Sequence, residues 1–285
     1  ETRMGFFYEG ELYKWGNPLG LLGFPHLGPI SKIRYGLQVF LSIKRNKWKK
    51  DHITAVQWAK NWVGEKAYQV LWDSLFQLKF HDFKDRLSAA WVWRRLRRVG
   101  RSRKNILSES LAYLDGGVSI LLNALREKIE NAGGKIVLDA PVSRVNIDAP
   151  ANKVTGITVH DRELLFDSVI TTIPLPYIPS LAPGLPSSLI EKYKSLDNIG
   201  VVCVILKLTH PLTENFWLNI SDHTIDLPGI IEFSNLDPRP GNLVYFPFYL
   251  HRTQEKFSKP DQYFLDNVVE YCRKINGSFN ESWVL

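Results

Sequence analysis

The chain has 285 residues, 45% of them apolar, enough to build a sizeable core in one large or two modest domains. No apolar run reaches the ~18 residues that a membrane-spanning helix needs, and no signal peptide is visible in the residues present, so a cytoplasmic protein is expected, with membrane association left open. The formal net charge of +7 permits an anionic partner without requiring one. The cysteines Cys203 and Cys272 stand in separate apolar segments, which favours buried thiols over a disulfide.

Residues 4–15 read as a tight hairpin, with Gly5-Phe-Phe-Tyr8 and Leu12-Tyr-Lys-Trp15 flanking a Glu9-Gly10 turn. Residues 17–29, rich in Gly, Pro and Leu, read as a loop with a short apolar helix, and His26 within it suits turn packing as well as chemistry. A helix is predicted over residues 31–43, capped by Ser31, with Ile33, Leu37, Phe40 and Leu41 as its inward stripe and the basic run 44–50 ending it. Thr54 caps a second helix over residues 54–62. After a turn at residues 64–67 a third helix carries Tyr68, Leu71, Trp72, Leu75 and Phe76. A fourth spans residues 87–98, turning Ala90, Trp93 and Leu96 inward and Arg94, Arg97 and Arg98 outward.

Gly116 and Gly117 then open a helix whose Val118, Leu121, Leu122, Leu125 and Ile129 recur at helical spacing. Asn131-Ala132-Gly133-Gly134 stops it, because a C-cap glycine takes positive φ without a Cβ clash. Short strands are predicted at residues 135–138 and 141–145, and two longer ones at 153–159 and 163–173 around a His160-Asp161-Arg162 turn. The four prolines of residues 174–186 that follow the first, Pro176, Pro179, Pro183 and Pro186, mark a linker leading out of this layer. Residues 187–196 read as a short helix. The β-branched run 201–208 reads as a buried central strand, with residues 230–234 and 242–250 as its partners. An amphipathic helix over residues 261–275 closes the pattern on Phe264, Val268, Val269 and Cys272.

Three places carry candidate chemistry. Residues 94–104 concentrate basic side chains beside Trp91 and Trp93. They read first as a solvated helix face, then as an anionic-lipid contact, and last as phosphate contacts beside stacking platforms, so peripheral membrane contact stays open and nucleic acid is not expected. His81 and Asp82 could serve as acid or base, although a loop hydrogen-bond role is favoured. Tyr245, Phe246, Phe248 and Tyr249 could line an apolar substrate pocket, or equally form an ordinary sheet face. The seven histidines are scattered without metal-ligand spacing, so no metal site is expected, and no G-x-S-x-G or G-x-G-x-x-G occurs.

The ordered set Gly116-Gly117, Pro141 to Val145 (PVxxV) and Val169 to Pro174 (VIxxxP), followed by Leu185-Pro186, Ile199-Gly200 and Pro211 to Trp217, resembles the flavin-containing amine oxidoreductases, the broad family of monoamine oxidases, protoporphyrinogen oxidases and phytoene-type desaturases. The resemblance implies FAD as cofactor, with the backbone of Val142 against the adenine, Gly116 and Gly117 at the start of the family's helix, and Thr171, Thr172 and Pro174 near the cofactor. It also implies a two-domain α+β or α/β architecture: a hairpin and helical part of a substrate domain over residues 1–110, a partial FAD-binding domain over 111–175, and the mixed-sheet part of the substrate domain over 176–285. Two departures qualify the likeness. The family's pyrophosphate loop and closing FAD segment are missing, so the sequence reads as an internal fragment, inactive by itself. The lysine that amine oxidases place near the flavin is also missing, since the matching strand holds Cys203 and Val204 and no lysine before Lys207. The expected reaction is hydride transfer from a small apolar substrate to FAD, desaturase- or oxidase-like, with no catalytic side chain assigned. A flavin-dependent sugar-nucleotide mutase, or a non-catalytic membrane- or nucleic-acid-binding module using residues 94–104, are the alternatives.

Overall fold

Strand β1 (Met4–Tyr8) sends Phe6 to one side and Phe7 to the other, as the two-residue period of a strand requires, and each ring belongs to a separate hydrophobic core. The computed structural model describes residues 2–45, 52–101, 113–251 and 253–285 of a mixed α/β chain. Residues 1–113 and 199–285 form one compact unit, and residues 114–198 form another.

In the larger unit β2 (Glu11–Trp15) pairs back on β1 through Glu9 and Gly10, whose φ of 49° and 77° give the hairpin turn that the sequence predicts. Asn17 caps α1 (Pro18–Gly23), accepting from the Gly20 N–H at 2.8 Å. The helices α2 (Pro29–Lys44), α3 (Ala55–Val63), α4 (Glu65–Tyr68), α5 (Ser74–Phe80) and α6 (Ala89–Arg101) follow, with a π turn at Gln69–Asp73 making α4 and α5 one continuous rod. Thr54 caps α3 as expected, accepting from the Gln57 N–H. Phe6, Phe24, Trp58, Trp72, Phe76 and Trp93 pack into the core of this helical layer.

The predicted stripe of α2 is reversed. Ile33 and Phe40 are 70% and 54% exposed, whereas Gln38 and Ser42 are buried. The face of α2 that packs on the helical layer instead carries Tyr35, Val39 and Ile43, the last against Gly100 of α6, where a Cβ would come within 2.3 Å. Ser42 Oγ meets its own need by donating to the Gln38 carbonyl at 2.7 Å. Ser31 lies inside α2 and donates to the Val63 carbonyl; Gly28 takes the N-cap position.

The smaller unit comprises α7 (Val118–Asn131), the antiparallel meander β3 (Val142–Asp148), β4 (Lys153–Val159) and β5 (Arg162–Leu165), and the short helices α8 (Ile178–Leu181) and α9 (Ser187–Lys194). Its core is small, built on Val145, Ile178 and Ala182. The segment after Pro174, expected to lead out of the layer, therefore returns to pack on β3. Residues 135–138 and 167–173 form no strand, and Ile170 is 93% exposed. A buried strand needs a hydrogen-bonded neighbour, and these two find none among the described residues. The apolar stripe of α7 is likewise uncovered along its length.

The chain then re-enters the larger unit as β6 (Ile199–Leu208), β7 (Trp217–Ile220), β8 (Gly229–Glu232), β9 (Asn242–His251) and α10 (Asp261–Ile275). The sheet order is β2-β1-β7-β8-β9-β6, antiparallel except for the β1–β7 pair. α10 covers one face with Phe264, Val268 and Cys272 over Leu206, Phe246 and Phe248. β6, predicted as a central strand, is the sheet's edge, and its Val201, Cys203 and Ile205 face outward. Cys203 is thus an exposed thiol, not the buried one expected, while Cys272 is buried and its pKa is pushed up to about 12 by burial and then by the Glu232 charge.

Two buried carboxylates tie loops to this sheet. Glu232 accepts from the Leu212 and Thr213 N–H groups at 2.7 Å each and from Thr213 Oγ1 at 2.9 Å; burial pushes its pKa up against the pull of those donors. Asp222 accepts from the Gly10 N–H at 2.9 Å and from the Thr224 N–H and hydroxyl; burial raises its pKa, but these bonds outweigh it and hold the carboxyl below its ordinary value. Replacing Glu232 by Ala strands two backbone donors and is expected to lower unfolding free energy by about 2–3 kcal/mol in urea titrations. Because the Asp222 pKa is depressed on folding, its contribution is present above the ordinary carboxyl range and is lost as pH falls through the folded value. Asp222→Asn is therefore expected to flatten the loss of stability below about pH 4, read from midpoints measured across the acid range.

Candidate functional site

The larger unit holds a small cleft where α5 and α6 meet the sheet. Leu75 and Lys79 come from α5, Arg95 from α6, Trp217 from β7, Gly229 from β8, and Pro247 and Tyr249 from β9. Helical spacing puts Trp91 and Arg95, four residues apart, on one side of α6, so the guanidinium lies 5.7 Å from the Trp91 ring centre and 5.5 Å from that of Trp217. Lys79 Nζ lies over the Tyr249 ring at 4.5 Å, donates to the Tyr249 hydroxyl at 3.2 Å, and is 5.8 Å from the same Trp91 ring. Burial, and then the like charge of Arg98, push the Arg95 pKa down. Among the described residues no carboxylate lines the cleft. The sequence signal for it was available, since Trp91 and Arg95 share a helix face, but the chain partners Lys79, Trp217 and Tyr249 are far apart in sequence.

Tyr249 and Phe248 are neighbours on β9 with opposite fates. Phe246 and Phe248 point into the core under α10, whereas Tyr245 packs against Phe233 and Tyr249 faces the cleft. Of the four expected pocket residues, then, Tyr249 alone lines this cleft. His81 sits beside it in a left-handed conformation (φ 48°) at the end of α5. Its Nε2 donates to the Tyr249 carbonyl at 2.7 Å, and Nδ1 accepts from the Gln254 amide at 3.2 Å. Both ring nitrogens are thereby engaged, in tying the end of α5 to β9 and to the segment that follows it.

The basic stretch divides. Arg94 and Arg98 are exposed, Arg95 turns inward, Arg97 stacks over Trp93, and residues 102–104 lie outside the described residues. Trp93 is buried and Trp91 packs edge-on against Phe80 at 4.9 Å, so neither indole offers an open stacking platform.

The residues that the resemblance assigns to FAD all fall in the smaller unit. Gly116 and Gly117 take φ of 84° and 77° directly before α7, and Gly117 forms its N-cap with no side-chain bond, which leaves first-turn N–H groups for an acceptor. A Cβ at Gly116 would meet Ile120 at 2.7 Å, so the turn requires glycine. Val142 opens β3 with its side chain exposed, and Thr171, Thr172 and Pro174 lie in the exposed extended segment before α8. These residues fit the flank of a flavin dinucleotide: accessible backbone and bare apolar surface on α7 and Ile170. They contain no glycine-rich pyrophosphate cradle.

Residues 17–283 match the family described as flavin containing amine oxidoreductase. The fold is similar to that of an oxidoreductase from Methanosarcina mazei (TM-score 0.69, 16% identity, covering 100% of this chain and 67% of that one). It is similar also to a protoporphyrinogen oxidase candidate from Exiguobacterium sp. 255-15 (TM-score 0.64, 14% identity, 100% and 67%). A reduced UDP-galactopyranose mutase gives a TM-score of 0.60 at 16% identity, over 100% of this chain and 64% of that one. No curated protein sequence matches. This chain spans about two-thirds of the length of these structures.

Since both His81 nitrogens are spent on structural bonds, His81→Ala is expected to cost about 1–2 kcal/mol of stability, with no bell-shaped pH dependence lost from any turnover measured on the same variant.

Proposed function

The chain belongs to the flavin-containing amine oxidoreductase family, and on that premise we propose that it serves an FAD-dependent enzyme of desaturase or oxidase type, which takes a hydride from a small, largely apolar substrate. The observation that carries this is the smaller unit's glycine-led helix beside an uncovered apolar face, with Val142, Thr171, Thr172 and Pro174 accessible on the same unit. Bound flavin supplies the two-electron acceptor that no side chain can provide. The contribution of this chain at the cofactor is backbone access: Gly116 and Gly117 keep side-chain bulk away from the N-terminus of α7. The strand β6 holds Cys203 and Val204 where amine oxidases carry lysine, which argues for oxidation of carbon–carbon rather than carbon–nitrogen bonds.

FAD needs more than these residues. The strand-like segments 135–138 and 167–173 lack partners among the described residues, and no G-x-G-x-x-G is available to hold the pyrophosphate. On this reading the 285 residues alone are expected to bind FAD weakly. No described helix is long and apolar enough to cross a membrane. Peripheral contact is supported by the exposed Leu19, Leu22, Ile30, Ile33, Leu37 and Phe40 of α1 and α2, with Lys32 and Lys44 on α2. The mutase-like fold supports a second reading, flavin chemistry on a sugar nucleotide, which saturable binding of a UDP-sugar would favour.

The test is the visible absorption spectrum of the natural gene product beside that of this chain. Flavin bands in the former and none in the latter are expected. A colourless gene product that takes up no added FAD would overturn the proposal.

A further inference from the structure

We propose that the outward face of α2 is a docking surface for a membrane leaflet rich in anionic lipid, on which the helix lies flat. This deepens the peripheral contact put forward above and rests on that part of the reading alone, because it holds whether or not flavin is bound.

The face follows from helical geometry. Ile30, Ile33, Leu37 and Phe40 recur at steps of three, four and three residues, which keeps them on one narrow side of a helix. All four are exposed. The opposite side carries Tyr35 and Val39, which pack on the helical core, and the buried Ser42. A helix at the surface of a soluble domain turns charge to water where α2 instead shows this apolar strip, left uncovered by the described residues. Leu19 and Leu22 of α1 are exposed as well, and α1 is tied to α2 where Lys32 Nζ donates to the Leu22 carbonyl at 2.6 Å.

Charge decides what covers the strip. Between Glu11 and Asp51 the chain has no acidic residue. Over the same stretch the described residues include Lys14, Lys32, Arg34, Lys44 and Arg45. Lys44 stands one turn beyond Phe40 on the apolar side, with its Nζ 5.8 Å from the Phe40 ring centre. A lysine so placed lays its methylene stem along the strip and keeps its ammonium at the edge, which is the level of lipid phosphates once the strip enters the acyl boundary. Arg45 is exposed at the C-cap beside it. Apolar side chains flanked by cations and free of carboxylates match a leaflet that is apolar within and anionic at its surface. A second copy of the chain matches less well, since pairing this face on itself brings cations to cations without a counter-charge.

The experiment uses the full natural protein and vesicles of two compositions, phosphatidylcholine alone and phosphatidylcholine with about a third phosphatidylglycerol, read by co-sedimentation. Binding to the anionic vesicles is expected, weakened as salt rises and about tenfold or more weaker on the neutral ones. Ile33→Ser with Phe40→Ser removes two apolar anchors and is expected to weaken binding about tenfold or more. Lys44→Glu with Arg45→Glu is expected to do the same through charge. Lys192→Glu with Lys194→Glu in the smaller unit, the same change of net charge, is expected to leave binding as it was. The altered side chains of α2 are exposed, so melting temperatures should hold; if the serine variant does not fold, the charge-reversed pair carries the comparison. No binding by the wild type, equal binding to both compositions, or wild-type affinity in either α2 variant overturns the proposal. So does a dimer in solution that the serine variant dissolves while the vesicles go unbound. Co-sedimentation and flavin absorption are separate readouts, so a colourless protein that binds vesicles and a flavoprotein that ignores them tell the two proposals apart.

Discussion

The larger unit depends on one parallel strand pair. Met4 to Phe7 of β1 register against Trp217 to Ile220 of β7, and the bonds that frame the pair join opposite ends of the chain: the Phe216 N–H to the Arg3 carbonyl, the Ser221 N–H to the Phe7 carbonyl, and Asn219 to the Gly5 carbonyl across 214 residues. Closing so long a loop is entropically costly, although the cost grows slowly with length. What offsets it is that β1 is used on both faces. Phe6 joins the helical core and Phe7 the α10 core, so one short strand is common to two cores that otherwise share little. Asp222 secures the far end of the hairpin to the same region.

That arrangement explains where the cleft lies. Once β1 fixes the sheet against the helical layer, α5 and α6 run over β7 and β9, and the residues between the two layers are large and aromatic. Packing two cations among Trp91, Trp217 and Tyr249 is tolerable because π faces repay part of the lost hydration.

The smaller unit shows a different incompleteness. Its meander closes by local antiparallel pairing, for which turns such as His160-Asp161 at positive φ suffice. Its other apolar segments need neighbours that lie beyond local reach, and among the described residues they have none. Exposed α7 and Ile170 are the consequence. The match spanning residues 17–283 thus coexists with much bare apolar area on α7 and Ile170.

What the sequence determined by itself were the elements whose causes are local. The Glu9-Gly10 turn, the Thr54 cap, the glycine stop after α7 and the span of α10 rest on conformational preferences within a few residues, and each appears where its residues predict. The ordered glycine pair, PVxxV and VIxxxP segments were legible for the same reason, as short patterns in a fixed order, and they carried the family. Tertiary structure alone decided which apolar faces are covered. Hydrophobic spacing gives α2 a stripe, yet α2 packs on the helical core through Tyr35 and Val39 and leaves that stripe exposed; β-branched composition makes the β6 run a strand, yet pairing order makes it an edge. The cation cleft belongs to this second class, because the meeting of Lys79, Arg95, Trp217 and Tyr249 depends on long-range strand pairing that no local pattern encodes.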